Sequence, residues 1–227
     1  MTINPKSLWP VVLAVFALSA LAAPAAQAVP KTFHVEIDTF SLKGEQVGEQ
    51  WFTFAATTVE CEKLALTGEN VLKTTAEITT QVAYSECNTK ITGKSSAKVV
   101  MNGCDYRFTV KPETEVPTTG VLHIECPVNK RIEILIGAMG SEGVPTNCTV
   151  TLGSQTLNEV IFENEGTGKT RDYRGNVGGP LSYTQDGAFC PGNEGKLQKS
   201  FTNGTYAGEM TFKAFNAGGG QVGTWIE

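Results

Sequence analysis

Histidine is scarce in this chain, and its two copies frame the sharpest chemical possibility: His34, Glu36 and Asp38 alternate along one run, with His123 available from another. Side chains two apart on a strand point to the same face, about 7 Å from one another, so the set is within reach of a single metal ion. The intervening residues Phe33, Val35 and Ile37 are apolar, which favours a simpler expectation, a solvated face opposite a buried one. His123 and Glu125 oppose Leu122, Ile124 and Cys126 in the same way. No metal and no cofactor is assigned on this pattern.

Hydrolytic chemistry finds little support. A serine nucleophile needs the strained Gly-x-Ser-x-Gly turn, and Gly140-Ser141-Glu142 lacks that spacing. Paired carboxylates could act on a glycosidic bond, and Glu159, Glu163 and Glu165 cluster, as do Asp172 and Asp186; no pattern singles out a buried pair. Gly175-Asn176-Val177-Gly178-Gly179-Pro180 lacks the Lys-Ser/Thr ending of a phosphate loop and reads as a wide turn or bulge. Asp172, Asn176, Asp186, Asn193 and Glu194 match no calcium-loop spacing. Asn147-Cys148-Thr149 and Asn203-Gly204-Thr205 fit the N-glycosylation pattern. Trp51, Tyr173, Tyr183 and Trp225 do not all fit the inward-facing sets, and rings on a sheet face can stack on sugars or partner loops.

The elements that position these residues have a period of two. Phe33-Val35-Ile37, Ile78-Thr80-Val82-Tyr84 and Cys104-Tyr106-Phe108-Val110 alternate with polar residues, as do Leu122-Ile124-Cys126, Ile132-Ile134-Ile136, Cys148-Val150-Leu152, Tyr206-Gly208-Met210-Phe212 and Val222-Thr224-Ile226. Between them lie turn clusters at 67–70, 112–114, 140–143, 178–180 and 191–193, and Asn102-Gly103 and Asn203-Gly204 each read as a tight turn into a strand. The segment from Cys61 to Leu72 has room for one helical turn but no convincing helical period. The pattern predicts an all-β fold, an antiparallel β-sandwich or barrel of about ten strands.

Six cysteines hold this scaffold: Cys61, Cys87, Cys104, Cys126, Cys148 and Cys190. No Cys-x-x-Cys pair suggests zinc, and an even set in an exported chain predicts disulfides. Folding the segment about position 115, the midpoint of the two numbers, brings Cys104 opposite Cys126 across a hairpin; Cys61 with Cys87 is the second expected pair, leaving Cys148 with Cys190.

Export is read from residues 1–28. Lys6 precedes an apolar run from Leu8 to Ala23, and Ala26-Gln27-Ala28 is a small-x-small cleavage pattern. Residues 29–227 then form a single disulfide-stabilised domain expected outside the cell, without stable membrane insertion. The full chain carries a net charge of −5, and losing Lys6 makes it −6. An acidic chain without a basic stripe argues against a nucleic-acid partner.

Several short runs share a flavour: Thr-Val-Glu-Cys at 58–61, Tyr-Ser-Glu-Cys at 84–87, Met-Asn-Gly-Cys-Asp-Tyr-Arg-Phe at 101–108, Ile-Glu-Cys-Pro at 124–127, Asn-Cys-Thr-Val at 147–150 and Phe-Thr-Asn-Gly-Thr-Tyr-Ala-Gly at 201–208. The chain resembles, on these, a family of uncharacterised secreted, cysteine-containing all-β proteins of soil actinobacteria. The resemblance implies bacterial export and a disulfide framework, and it implies no activity. The expectation is a secreted, non-enzymatic binding or structural module whose partner is unknown, a glycan or cell-surface component being the candidate. The alternative is a small secreted polysaccharide hydrolase using paired carboxylates.

Overall fold

A computed structural model describes residues 30–227, except 56, 71, 90–94, 113–115, 138–145, 188–189 and 191. The expected leader and the turn cluster at 140–143 lie outside the described residues. The strands are β1 (Phe33–Val35), β2 (Phe40–Gln46), β3 (Gln50–Phe54), β4 (Thr57–Asn70), β5 (Thr74–Thr75), β6 (Glu77–Thr89), β7 (Ser95–Val100) and β8 (Asp105–Val110). They continue as β9 (Thr118–Glu125), β10 (Ile132–Gly137), β11 (Thr146–Leu152), β12 (Gln155–Glu165), β13 (Asp172–Asp186), β14 (Gln198–Phe215), β15 (Gln221–Val222) and β16 (Thr224–Ile226).

The pairings resolve the sandwich-or-barrel expectation in favour of a barrel. Strands β4, β6, β13 and β14 run its full height. The other staves are broken in two: β2 and β3 both pair antiparallel with β14, and β7 and β8 both pair with β6. Similarly, β9 and β10 lie along β8 and β7, while β11 and β12 lie along β10 and β9. Each stave is antiparallel to its neighbours, and β14 pairing with β2 and β3 returns the sheet to its first stave. Followed from Lys43 through Thr67, Gln81, Asp105, Glu125 and onward to Tyr183 and Phe201, the register returns to the first stave past Thr53, at its far end. That offset is the stagger a closed barrel needs for its strands to tilt.

A column of aromatic rings fills the interior. Phe33, Phe162, Tyr173, Phe212 and Phe108 pack at one end, with Phe108 and Phe212 centroids 5.2 Å apart. Tyr106, Tyr84, Tyr206 and Phe52 continue the column, and Phe54, Tyr183 and Phe201 complete it. An eight-stave barrel is just wide enough for side chains to fill. The mouth beside Phe33 is closed by a small sheet of β16, β1 and β5, pinned where the Asn164 amide bonds both the N–H and the C=O of Ile226 at 2.8 Å. At the opposite end, Cys190 and Asn193, between β13 and β14, are buried.

All six cysteines are paired as the sequence suggested: Cys61–Cys87, Cys104–Cys126 and Cys148–Cys190. Cys61 and Cys87 stand opposite each other between β4 and β6, and Cys104–Cys126 extends the β8–β9 pairing by one step. Cys148–Cys190 ties the end loop to β11.

Residues 61–70 are strand, part of β4, in line with their lack of a helical period. Three local expectations are corrected. The predicted turns at 67–70 and 178–180 lie inside β4 and β13, and Asn203-Gly204 lies inside β14. Their glycines serve close packing instead: a Cβ on Gly68 would stand 2.7 Å from the Thr79 carbonyl oxygen, and one on Gly204 would stand 2.9 Å from the Tyr183 ring. Asn102-Gly103 does form the expected turn, with both residues at positive φ.

Midway along the barrel the apolar filling gives way to a polar knot. The Tyr84 hydroxyl bonds those of Tyr106 (2.9 Å) and Tyr206 (3.0 Å), and Tyr206 donates to Gln50 Oε1 at 2.6 Å. Gln50 Nε2 in turn donates to the Glu209 carbonyl at 2.9 Å. Every side-chain group in this chain of contacts finds a partner, which makes its burial tolerable. Gly208 leaves the room: a Cβ there would lie 1.8 Å from Gln50 Oε1. Gly208→Ala is therefore expected to expel the Gln50 amide and lower the unfolding free energy by about 3 kcal/mol, combining overpacking with lost buried hydrogen bonds. Urea denaturation measures it, and an unchanged midpoint would contradict this role for Gly208.

Candidate functional site

Side chains fill the lumen, and the outer wall is polar. Along β6 the outward positions are Glu77, Thr79, Gln81, Ala83 and Ser85, where a lipid-facing barrel would carry an apolar band. No helix among the described residues is long and apolar enough to cross a membrane.

The residues first considered for metal do not converge. His34 sits in the mouth sheet between Thr32 (2.7 Å) and Thr74 (3.2 Å) and stacks on Trp225 with ring centroids 5.5 Å apart. Glu36 accepts a hydrogen bond from the Gly223 N–H, and Asp38 is exposed. His123 lies on β9 beside Thr156 (3.2 Å), its pKa lowered by partial burial and then by Arg107. Arg107 is itself held between Glu125 (2.6 Å) and Glu77 (2.9 Å), and its hydrogen bonds keep the Glu125 carboxyl below its ordinary value. No cluster of three His, Cys, Asp or Glu side chains able to hold a metal occurs among the described residues. Asp172 and Asp186 stand at opposite ends of β13, about 46 Å apart at strand rise, and cannot share a calcium ion.

The carboxylates on β12 are likewise dispersed. Glu159 and Glu163 are exposed on the outer face. Glu165 stands opposite Asp172 in register and pairs with Arg174 (2.5 Å), which also holds Glu209 (2.8 Å). Burial, followed by the Glu165 charge, raises the Asp172 pKa. Three concavities on the outer wall, lined by described residues, do not include this pair, and none of the three combines two carboxylates.

The aromatic expectation is corrected in part. Tyr173 and Tyr183 belong to the core column, at 1% and 3% exposure, because their positions on β13 fall on its inward phase. Trp225 is half-buried between His34 and Arg171, whose guanidinium lies 5.0 Å from the ring centroid. Trp51 alone of the four stands out, 41% exposed on the outward face of β3. Its register partner on β14 is Ala207, and the next stave offers Gly178. These two small residues leave a shelf beside the indole. Thr53 and Thr205, also paired in register, add hydroxyls on one side. The indole N–H is oriented by Glu49 Oε2 at 3.1 Å.

Two further concavities lie on the wall. A groove of about 710 Å³ crosses β2, β4, β6 and β14, with Ala65 and Ala83 on its floor. Its cations are engaged: Lys213 with Glu45 (3.0 Å), Lys63 with Glu86, and Lys43 over the Phe215 ring. A polar trough of about 300 Å³ crosses β11 to β14, where β13 and β14 shift register. Neither was legible beforehand, since register alone brings their residues together.

No family model, curated protein or solved structure matches the chain.

Proposed function

We propose that this protein is an exported, non-enzymatic binding module that takes a carbohydrate on the outer wall of its barrel, with Trp51 as the stacking platform. The observation that carries the reading is the exposed indole beside the Ala207–Gly178 shelf. A sugar ring presents an apolar face suited to an aromatic surface, and hydroxyls at its edge suited to Thr53 and Thr205. The packed lumen favours surface recognition over an enclosed small-molecule site. Three disulfides suit an extracytoplasmic setting, in line with the leader-like residues 1–28.

Affinity electrophoresis and calorimetry against a panel of soluble plant, fungal and bacterial polysaccharides test the reading. Wild type is expected to bind at least one, and Trp51→Ala to weaken that binding roughly tenfold while circular dichroism stays unchanged. Failure of the wild type across the panel, or a Trp51→Ala variant that binds as wild type does, overturns it.

A further inference from the structure

The polar trough lies on the same two staves as the Trp51 shelf. Along β13 the outward positions run Gly178, Pro180, Ser182 and Thr184, so four residues, about 13 Å, separate the shelf from the centre of the trough. Thr151, Thr184 and Ser200 face one another across three strands, with the Thr184 and Ser200 hydroxyls 3.1 Å apart. Above them Gln155 is fixed as a brace: its Oε1 accepts from the Ser182 N–H at 2.9 Å and its Nε2 donates to the Ser182 carbonyl at 3.2 Å. The brace spans the point where β13 and β14 lose register, and it keeps this part of the wall concave.

Arg131 lines the same trough, just before β10. Its backbone carbonyl accepts from Asn102, but its exposed guanidinium makes no hydrogen bond or ion pair among the described residues. Glu133, on the same stave, does not pair with it and is not part of the lining. The other arginines near carboxylates behave differently: Arg107 and Arg174 are each held by two. Arg131 is thus a planar five-donor fork left open beside a bank of hydroxyls, a pairing suited to a sugar that carries a carboxylate.

The geometry points to an acidic polysaccharide as the ligand, lying along the outer face of β13 and β14, with one sugar on Trp51 and a uronic-acid carboxylate on Arg131. This deepens the carbohydrate reading and rests on it. The protein's negative net charge works against polyanions in general, so recognition falls to the local fork, and a single carboxylate per sugar suits it better than dense sulfation.

The test compares polygalacturonate and alginate with their fully methyl-esterified forms, which keep the backbone and remove the charge. Calorimetry at low salt on the full chain is expected to show the wild type binding at least one acid form roughly tenfold more tightly than its ester. Arg131→Gln is expected to bring the acid form down to the level of the ester. Equal wild-type affinity for acid and ester overturns this inference alone. A preference that survives in Arg131→Gln also overturns it, placing the cation elsewhere, as in the lysine-rimmed groove. Wild type that binds neither form of either polymer overturns the acidic ligand, while binding to a neutral polysaccharide that Trp51→Ala removes leaves the carbohydrate reading standing.

Discussion

Reduction of the three disulfides is expected to unfold the barrel at room temperature. The bridges close sequence separations of 26, 22 and 42 residues. On the chain-entropy model each removes about 3–4 kcal/mol of freedom from the unfolded chain. Together that is about 10 kcal/mol, as large as the whole net stability of an ordinary domain, about 5–15 kcal/mol. Their positions add to the effect. Cys61–Cys87 joins β4 to β6, two staves that run the full height of the barrel. Cys104–Cys126 clamps the level at which the neighbouring staves break, between β7 and β8 and between β9 and β10. Cys148–Cys190 ties β11 to the segment between β13 and β14. Far-UV circular dichroism and urea titration with and without reductant measure the result. A reduced chain with an unshifted midpoint would show that the aromatic column alone sustains the fold.

Much of this architecture was legible because two signals survive without context. Alternation at Ile78-Thr80-Val82-Tyr84 or Leu122-Ile124 reports a buried face directly, since one face of each stave meets the packed lumen. The Cys104–Cys126 bridge followed from folding a hairpin about its midpoint, and the β8–β9 register places these residues accordingly. What failed was the reading of glycine. Gly68 and Gly204 look like punctuation in sequence, yet they sit within continuous strands where a neighbouring chain or ring approaches too closely for a side chain; Gly179 also sits within a strand, at a positive φ. Whether a glycine means a turn or a close contact depends on a partner far away in the chain, such as Tyr183 for Gly204.

The candidate site was less legible for a related reason. Trp51 was visible as an aromatic of uncertain facing, but its shelf depends on Ala207 and Gly178, residues more than a hundred positions away. Arg131 carries no signal in the sequence, because its significance lies in what does not surround it. Tyr173 and Tyr183 were candidates for the surface, and the phase of β13 put them in the core.

That burial leads to the second large effect, steep alkaline unfolding. Tyr84, Tyr106, Tyr173 and Tyr206 are all buried, and burial, the largest cause for each, raises every one of their phenol pKa values. In the unfolded chain a tyrosine loses its proton near pH 10. Above that pH the unfolded state binds fewer protons than the native state, so stability falls as pH rises; below it the contribution is fully present. Each buried tyrosine contributes a slope of about 1.4 kcal/mol per pH unit, so four together give about 5 kcal/mol per unit, enough to unfold a typical domain within two units. Urea titrations from about pH 9 to about pH 12, read beside tyrosinate absorbance, test this, and a flat profile over that range would contradict it. Tyr173 separates the titration from packing. Its buried hydroxyl finds no hydrogen-bond partner among the described residues, whereas the other three share the polar knot. Tyr173→Phe is therefore expected to lower the alkaline slope by about 1.4 kcal/mol per pH unit while leaving neutral-pH stability equal or up to about 1 kcal/mol higher. Tyr206→Phe, which strands Gln50 Oε1, is expected to remove the same slope and to lose about 1–3 kcal/mol at neutral pH. If the two variants behaved alike at neutral pH, the knot would hold no more of the fold together than an isolated phenol does.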